Sequence, residues 1–136
     1  MISQIIVVML AVLVASCSNN VLNKNLQETR LITSSNYKNM TVDELNAQLK
    51  NKDFALIDVH IPEQKHINGT DSFIPYDDIE NQLDKLPSDK NSKIVLYCRS
   101  GRMSQIAAEK LAEKGYTNVY NVVGGIAEWV KEGYGK

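Results

Sequence analysis

The stretch Tyr97-Cys98-Arg99-Ser100-Gly101-Arg102-Met103-Ser104 holds the residues best suited to chemistry. A cysteine stands where an apolar run, Lys93-Ile94-Val95-Leu96-Tyr97, stops and an amphipathic segment begins. With a buried strand before it and a helix after it, the thiol faces a helix N-terminus, which carries unpaired N–H groups and about half a positive charge. That setting favours the thiolate, the nucleophilic form of cysteine. Arg99 and Arg102 add positive potential, and Gly101 lets the backbone take positive φ so that successive N–H groups converge as an anion nest. The pattern is a cradle for an anion beside a nucleophile: a persulfide, thiosulfate, a phosphate or an arsenate. A lone cysteine at a strand end is usually a small buried hydrophobe, but a buried thiol has no need of Arg-Ser-Gly-Arg beside it.

The elements that must hold this segment follow from the hydrophobic pattern. Thr41-Val42-Asp43-Glu44 fits a capping box, and Val42, Leu45 and Leu49 make a helical stripe behind it. Phe54 to Val59 is a short apolar run suited to a strand buried on both faces. A long polar connection, His60 to Phe73, leads through Ile74-Pro75 to a second helical stretch marked by Ile79, Leu83 and Leu86. Lys93–Tyr97 is the best strand of the chain, and Cys98–Met103 reads as a loop. A helix follows over Ser104–Lys114, with Ile106, Ala107 and Leu111 facing in and Gly115 as its stop. Val119–Val122 is a last strand, and Gly124-Gly125 opens a final helix carrying Ile126, Trp129 and Val130, with Trp129 as its core anchor. Strands and helices alternate without hairpin signals, which predicts an α/β fold: a parallel sheet with helices on both faces. Ligands of such sheets bind beyond the carboxyl ends of the strands, where Cys98–Ser104 falls.

Composition bounds the rest. A chain of 136 residues fits one domain, and 43% apolar residues suffice for a core. Lys and Arg number 15 against 16 Asp and Glu, a net charge of −1, with no basic stripe, so nucleic acid is not an expected partner. The 2 cysteines, Cys17 and Cys98, make no disulfide framework, and His60 and His66 alone make a poor metal site; no metal or cofactor is expected.

The active segment resembles the active-site loop of rhodaneses, and other pieces resemble that family in the same order. They are Leu56-Ile57-Asp58-Val59-His60, then Lys65-His66-Ile67-Asn68-Gly69 with Ile74-Pro75, then Val123-Gly124-Gly125-Ile126-Ala127-Glu128-Trp129 with Gly133-Tyr134. The resemblance covers about Tyr37 to Tyr134. It implies a three-layer rhodanese-like domain over residues 37–136 and a sulfurtransferase. Cys98 would take sulfane sulfur from a donor such as thiosulfate and hold it as a persulfide among the N–H groups of Arg99 to Ser104. A thiol or cyanide would then remove it, in covalent catalysis by two displacements. The sequence departs from the family pattern at Met103, where an arginine is usual and the loop's second arginine is Arg102 instead. It departs again at His60, an arginine in the family, and at Lys65, a glycine. Asp58 is expected to end its strand beneath the loop, bonding to backbone or to His60, as structural support. His66 is expected to be a polar structural residue.

Two rival functions use the same cysteine. A phosphatase or arsenate reductase would place an arginine six residues after it, where this chain has Ser104. A non-enzymatic sulfane-sulfur carrier, redox sensor or binding module would keep the loop without turnover.

At the other end, Ile5 to Ala15 is an unbroken apolar run, shorter than the roughly 20 residues that span a bilayer and suited to a signal-peptide core. Val14-Ala15-Ser16-Cys17 resembles a bacterial lipobox, although Met1-Ile2-Ser3-Gln4 lacks the usual positive charge. Residues 1–17 are thus expected to be a lipoprotein signal ending at a lipidated Cys17, and residues 18–36 a polar linker. The protein would be exported and held at a membrane by acyl chains, facing the periplasm or the cell exterior.

Overall fold

The computed structural model describes residues 36–135. Cys17, the expected signal and almost all of the expected linker lie outside them.

Five strands form one sheet: β1 (Lys38–Met40), β2 (Ala55–Asp58), β3 (Ser72–Phe73), β4 (Ile94–Tyr97) and β5 (Val119–Val122). Their order is β1-β5-β4-β2-β3, and every neighbouring pair is parallel. The helices are α1 (Val42–Leu49), α2 (Arg102–Glu113) and α3 (Gly125–Lys131). Parallel strands need a crossover between them, and the crossovers cover both faces of the sheet. The parallel α/β architecture expected from the alternation of elements is the one observed.

Side chains of a strand alternate between faces, and β4 shows the consequence. Ile94, Leu96 and Cys98 join one apolar cluster with Ala107, Ala108 and Leu111 of α2. Val95 and Tyr97 join the other with Leu45 of α1 and Trp129 of α3. All four residues of β4 are buried, as its central place in the sheet requires. The register pairs Asp58 with Tyr97 and Leu96 with Asn121, so β2, β4 and β5 end together at one edge.

Local chemistry sets the helix ends. The Thr41 hydroxyl accepts from the Glu44 amide at 3.2 Å and the Glu44 carboxylate accepts from the Thr41 amide at 2.7 Å, completing the expected capping box. α2 starts at Arg102 instead of Ser104, because Gly101 takes φ 95° and turns the chain straight into the helix. Arg102 and Met103 therefore belong to the first helical turn and not to the loop. Ile106 is half-buried, whereas Ala107 and Leu111 are fully buried.

The second helical stretch is a correction. Ile79, Leu83 and Leu86 keep their apolar spacing, but the backbone makes two short 3₁₀ turns, Ile79–Asn81 and Leu83–Lys85. Asp78 closes the first turn by accepting from the Asn81 and Gln82 side chains. Pro87 disfavours helical backbone at Leu86, which sits at φ −96°, ψ 160°. Two strands were not anticipated: β1, at the start of the domain, and β3, inside the polar connection. Both are short edge strands. In α3, Trp129 is buried as expected while Val130 is 55% exposed.

Candidate active site

Cys98 follows the last residue of β4, and its side chain turns toward α2. The thiol sulfur accepts from the Gly101 amide at 3.1 Å, and the Ser104 hydroxyl lies 3.5 Å away. The amides of the first turn of α2 have no intrahelical acceptor, and that turn begins one residue beyond Gly101. The loop thus puts the sulfur against the positive end of a twelve-residue helix. Cys98 is 1% exposed, so the sulfur is met through the loop and not from open solvent.

The expected loop residues divide in three. Arg99, Ser100 and Arg102 are exposed and form a rim with two guanidinium groups. Gly101 and Ser104 are buried beneath it. Met103 packs against the apolar cluster that contains Cys98, so the residue standing at the usual arginine position contributes packing instead of charge.

The loop is held from the far side by α3. The Ile126 amide donates to the Cys98 carbonyl at 2.9 Å, and the Ala127 amide to the Arg99 carbonyl at 3.0 Å. The first turn of one helix therefore ties down the loop that feeds another. Gly125 makes this approach possible, because a Cβ there would stand 2.3 Å from the Cys98 carbonyl oxygen. Reading Gly124-Gly125 only as a helix entry misses this contact. Nor does the sequence pattern single out Asn121, which is 4% exposed and accepts from the Ser104 hydroxyl at 2.6 Å. Its one local signal is an amide inside the strand Val119-Tyr120-Asn121-Val122.

Asp58 ends β2 fully buried, on the face of the sheet opposite the Cys98 thiol. Its carboxylate accepts from the His60 amide at 2.9 Å, from the Gln64 side chain at 3.3 Å and from His66 Nδ1 at 3.0 Å. Asp58 thus organises the connection that follows its strand, and part of its partnership is with the His60 backbone. The His60 ring contributes no bond through Nδ1, which is the one buried side-chain polar atom without a partner among the described residues. His66 Nε2 meets Glu63 at 3.0 Å. A ring that donates from both nitrogens is an imidazolium. Burial works against the charge on His66, but the Asp58 and Glu63 carboxylates outweigh it and raise its pKa above 6.5. Tyr97 secures the same connection: its hydroxyl accepts from the Ile67 amide at 3.0 Å and bonds to Thr70 at 2.8 Å. Burial and the nearby Asp58 push that phenol up, so it stays neutral. A cavity of about 70 Å³ on this face, lined by Lys65, His66, Asn68, Trp129 and Tyr134, does not include Cys98 among its walls.

Comparison with known proteins bears on the fold and the family. The tRNA uridine(34) hydroxylase of Erwinia tasmaniensis is 33% identical over 94 residues, 65% of this chain and 27% of that protein. Thiosulfate sulfurtransferase PspE of Escherichia coli is 39% identical over 71 residues, 50% of this chain and 67% of that protein. The chain therefore spans only about a quarter of the hydroxylase and about two thirds of PspE. Among solved structures, a rhodanese-like domain protein from Staphylococcus aureus superposes with a TM-score of 0.59 at 30% identity, covering 68% of this chain and 90% of that one. The family model for the rhodanese-like domain matches residues 41–132, from the cap of α1 to the end of α3, and the chain belongs to the rhodanese-like domain family.

Proposed function

We propose that the protein is a sulfurtransferase that carries sulfane sulfur on Cys98. The observation that carries this reading is the Cys98 sulfur under the Gly101 amide at 3.1 Å, at the N-terminal end of α2. In the first displacement the Cys98 thiolate attacks the sulfane sulfur of a donor such as thiosulfate. A new S–S bond forms to Cys98, the donor's S–S bond breaks, and sulfite leaves with the bonding electron pair. The persulfide's outer sulfur carries the negative charge, and the amides of the loop and of the first turn of α2 serve as its donors, a role supported by the Gly101 amide at 3.1 Å from Sγ. In the second displacement an acceptor thiolate, or cyanide, attacks the outer sulfur and returns Cys98 as thiolate. Arg99 and Arg102, exposed at the rim, raise the local concentration of anionic donors. PspE, a relative named for thiosulfate sulfurtransfer, supports the choice of donor class.

The burial of Cys98 favours a second reading, a sulfane-sulfur carrier that releases its cargo only to a docked partner. The phosphatase or arsenate reductase reading has less support: the side chain six residues after Cys98 is the Ser104 hydroxyl, buried and bonded to Asn121. The N-terminal pattern supports an exported protein anchored through lipid on Cys17.

Intact mass of the full chain after incubation with thiosulfate tests the chemistry. A gain of about one sulfur atom is expected, reversed by cyanide and absent in Cys98→Ser, as covalent catalysis requires. Rapid cyanide turnover identifies the enzyme, and loading with negligible turnover identifies the carrier. A Cys98→Ser protein that still transfers sulfur rules out both.

A further inference from the structure

A line of hydrogen bonds runs sideways from the cysteine through the sheet. The Ser104 hydroxyl, fully buried, has a single proton and three acceptors within reach: the Cys98 sulfur at 3.5 Å, the Gly101 carbonyl at 3.1 Å and Asn121 Oδ1 at 2.6 Å. The shortest of these takes it. Asn121 lies on β5 with its amide nitrogen donating to Asn39 Oδ1 at 3.2 Å. Asn39 is its direct neighbour across the β1–β5 pairing. That bond turns the Asn121 amide so that its oxygen, and not its NH₂, faces Ser104.

We propose that Asn121, oriented by Asn39, is a positioning residue that withholds the Ser104 proton from the Cys98 sulfur. With its proton directed at Asn121, Ser104 turns lone pairs toward the sulfur and accepts from an S–H. The chain then runs in one sense, Cys98 to Ser104 to Asn121 to Asn39, each group donating to the next. Such a chain strengthens each of its bonds. It matches a sulfur that carries its proton. A bare thiolate at Sγ must draw the Ser104 proton back and leave the Asn121 oxygen unpaired. In a persulfide the charge sits on the outer sulfur and Sγ is neutral, so the Ser104–Asn121 bond can stay in place. The pair thus disfavours the empty thiolate relative to both the resting thiol and the loaded persulfide. This refinement of the state of Sγ rests on the sulfur-carrying role proposed for Cys98. The hydrogen-bond competition itself is independent of that role.

The other titratable groups near the thiol are the Arg99 and Arg102 guanidiniums on its own loop and helix and the phenols of Tyr37, Tyr76 and Tyr116 in the same apolar cluster, with Asp58 on the opposite face of the sheet at the end of β2 and His60 just after it. They are unchanged in the variants that follow. The test is the pH titration of Cys98 in the full chain, read from its ¹³Cβ resonance, in wild type, Asn121→Leu, Asn39→Ala, Ser104→Ala and the Ser104→Ala/Asn121→Leu double variant. Asn121→Leu leaves the Gly101 carbonyl, at 3.1 Å, as the one competitor for the Ser104 proton. A thiolate, being charged, can then draw that proton to itself without stranding the Asn121 oxygen, so the midpoint is expected to fall, giving about fivefold more thiolate at a fixed pH, the size of one ordinary net hydrogen bond. Asn39→Ala, at an exposed edge position, is expected to move the midpoint the same way by less, and serves if Asn121→Leu does not fold. The Asn121→Leu shift is expected to vanish in the Ser104→Ala background. A shift that persists there, or no shift in either asparagine variant, overturns the proposal. None of these readings needs sulfur transfer, so failure to load from thiosulfate would count against the sulfurtransferase reading and leave this one standing.

Discussion

Gly125 has no side chain where the backbone of the cysteine loop occupies the place of a Cβ: its neighbours there would be the Cys98 oxygen at 2.3 Å and the Arg99 carbonyl carbon at 2.7 Å. Neither is the end of a flexible side chain, so nothing can swing aside. An alanine would also have to hold φ 57°, a left-handed conformation that costs an L-residue about 1 kcal/mol or more. Gly125→Ala is therefore expected to destabilise the protein by about 2–4 kcal/mol in urea unfolding, through clash and strain together. Persulfide loading should fall with it, because the displaced carbonyls carry the loop. Normal stability and normal loading in that variant would contradict the close approach. Met103 teaches a different lesson at this scale. Its side chain packs against the apolar cluster that includes Cys98, so the charged side chains of the loop are the exposed Arg99 and Arg102.

Among the elements, the connection after β2 is held by charge as much as by packing. His66 joins the fully buried Asp58 to the exposed Glu63, and the raised pKa follows from those two carboxylates. A histidine whose folded pKa is raised stabilises the fold fully below its unfolded pKa of about 6.5 and loses that contribution as pH rises through the folded value. His66→Gln should then lower Tm more at pH 5.5 than at pH 8.5, relative to wild type at each pH. Equal deficits at both would show that the ring, and not its charge, matters. The two 3₁₀ turns after Ile74 make a related point about local competition. Three apolar residues at helical spacing still reach the core from short turns, Ile79 and Leu86 buried and Leu83 half-buried, once the Asp78 side chain and Pro87 bound the segment.

On the scale of the whole molecule, the sheet order β1-β5-β4-β2-β3 puts Cys98 at the end of the central strand, with a neighbour on each side. β2 brings Asp58 and the connection organised by His66, and β5 brings Asn121. Residues Ser35–Lys136 form a compact unit of their own, so the chemistry proposed for Cys98 and the anchoring proposed for Cys17 are separable by experiment. Cys17→Ser is expected to move the protein from the membrane fraction to the soluble fraction while leaving Cys98 loading unchanged. Retention at the membrane after that substitution would count against the lipid anchor.

The amino-acid sequence by itself determined the parallel α/β class, the capping box at Thr41, and the placing of Cys98 between a buried strand and a helix. Each of these is written in neighbouring residues: an apolar run, a helical period, a Thr and a Glu three apart, a glycine at a turn. Tertiary structure decided which face of the sheet the Cys98 sulfur takes, the pairing of edge strands β1 and β3, and the approach of Gly125 to the cysteine loop. It also decided the bonds from Asn121 to Ser104 and Asn39. These are meetings of residues remote in the chain, and the order and register of the strands bring them together. Short edge strands bury too little to impose a period, and a polar residue in a strand does not say which distant hydroxyl it will meet. Local pattern therefore located Cys98 and its loop, and strand order supplied the residues that surround them.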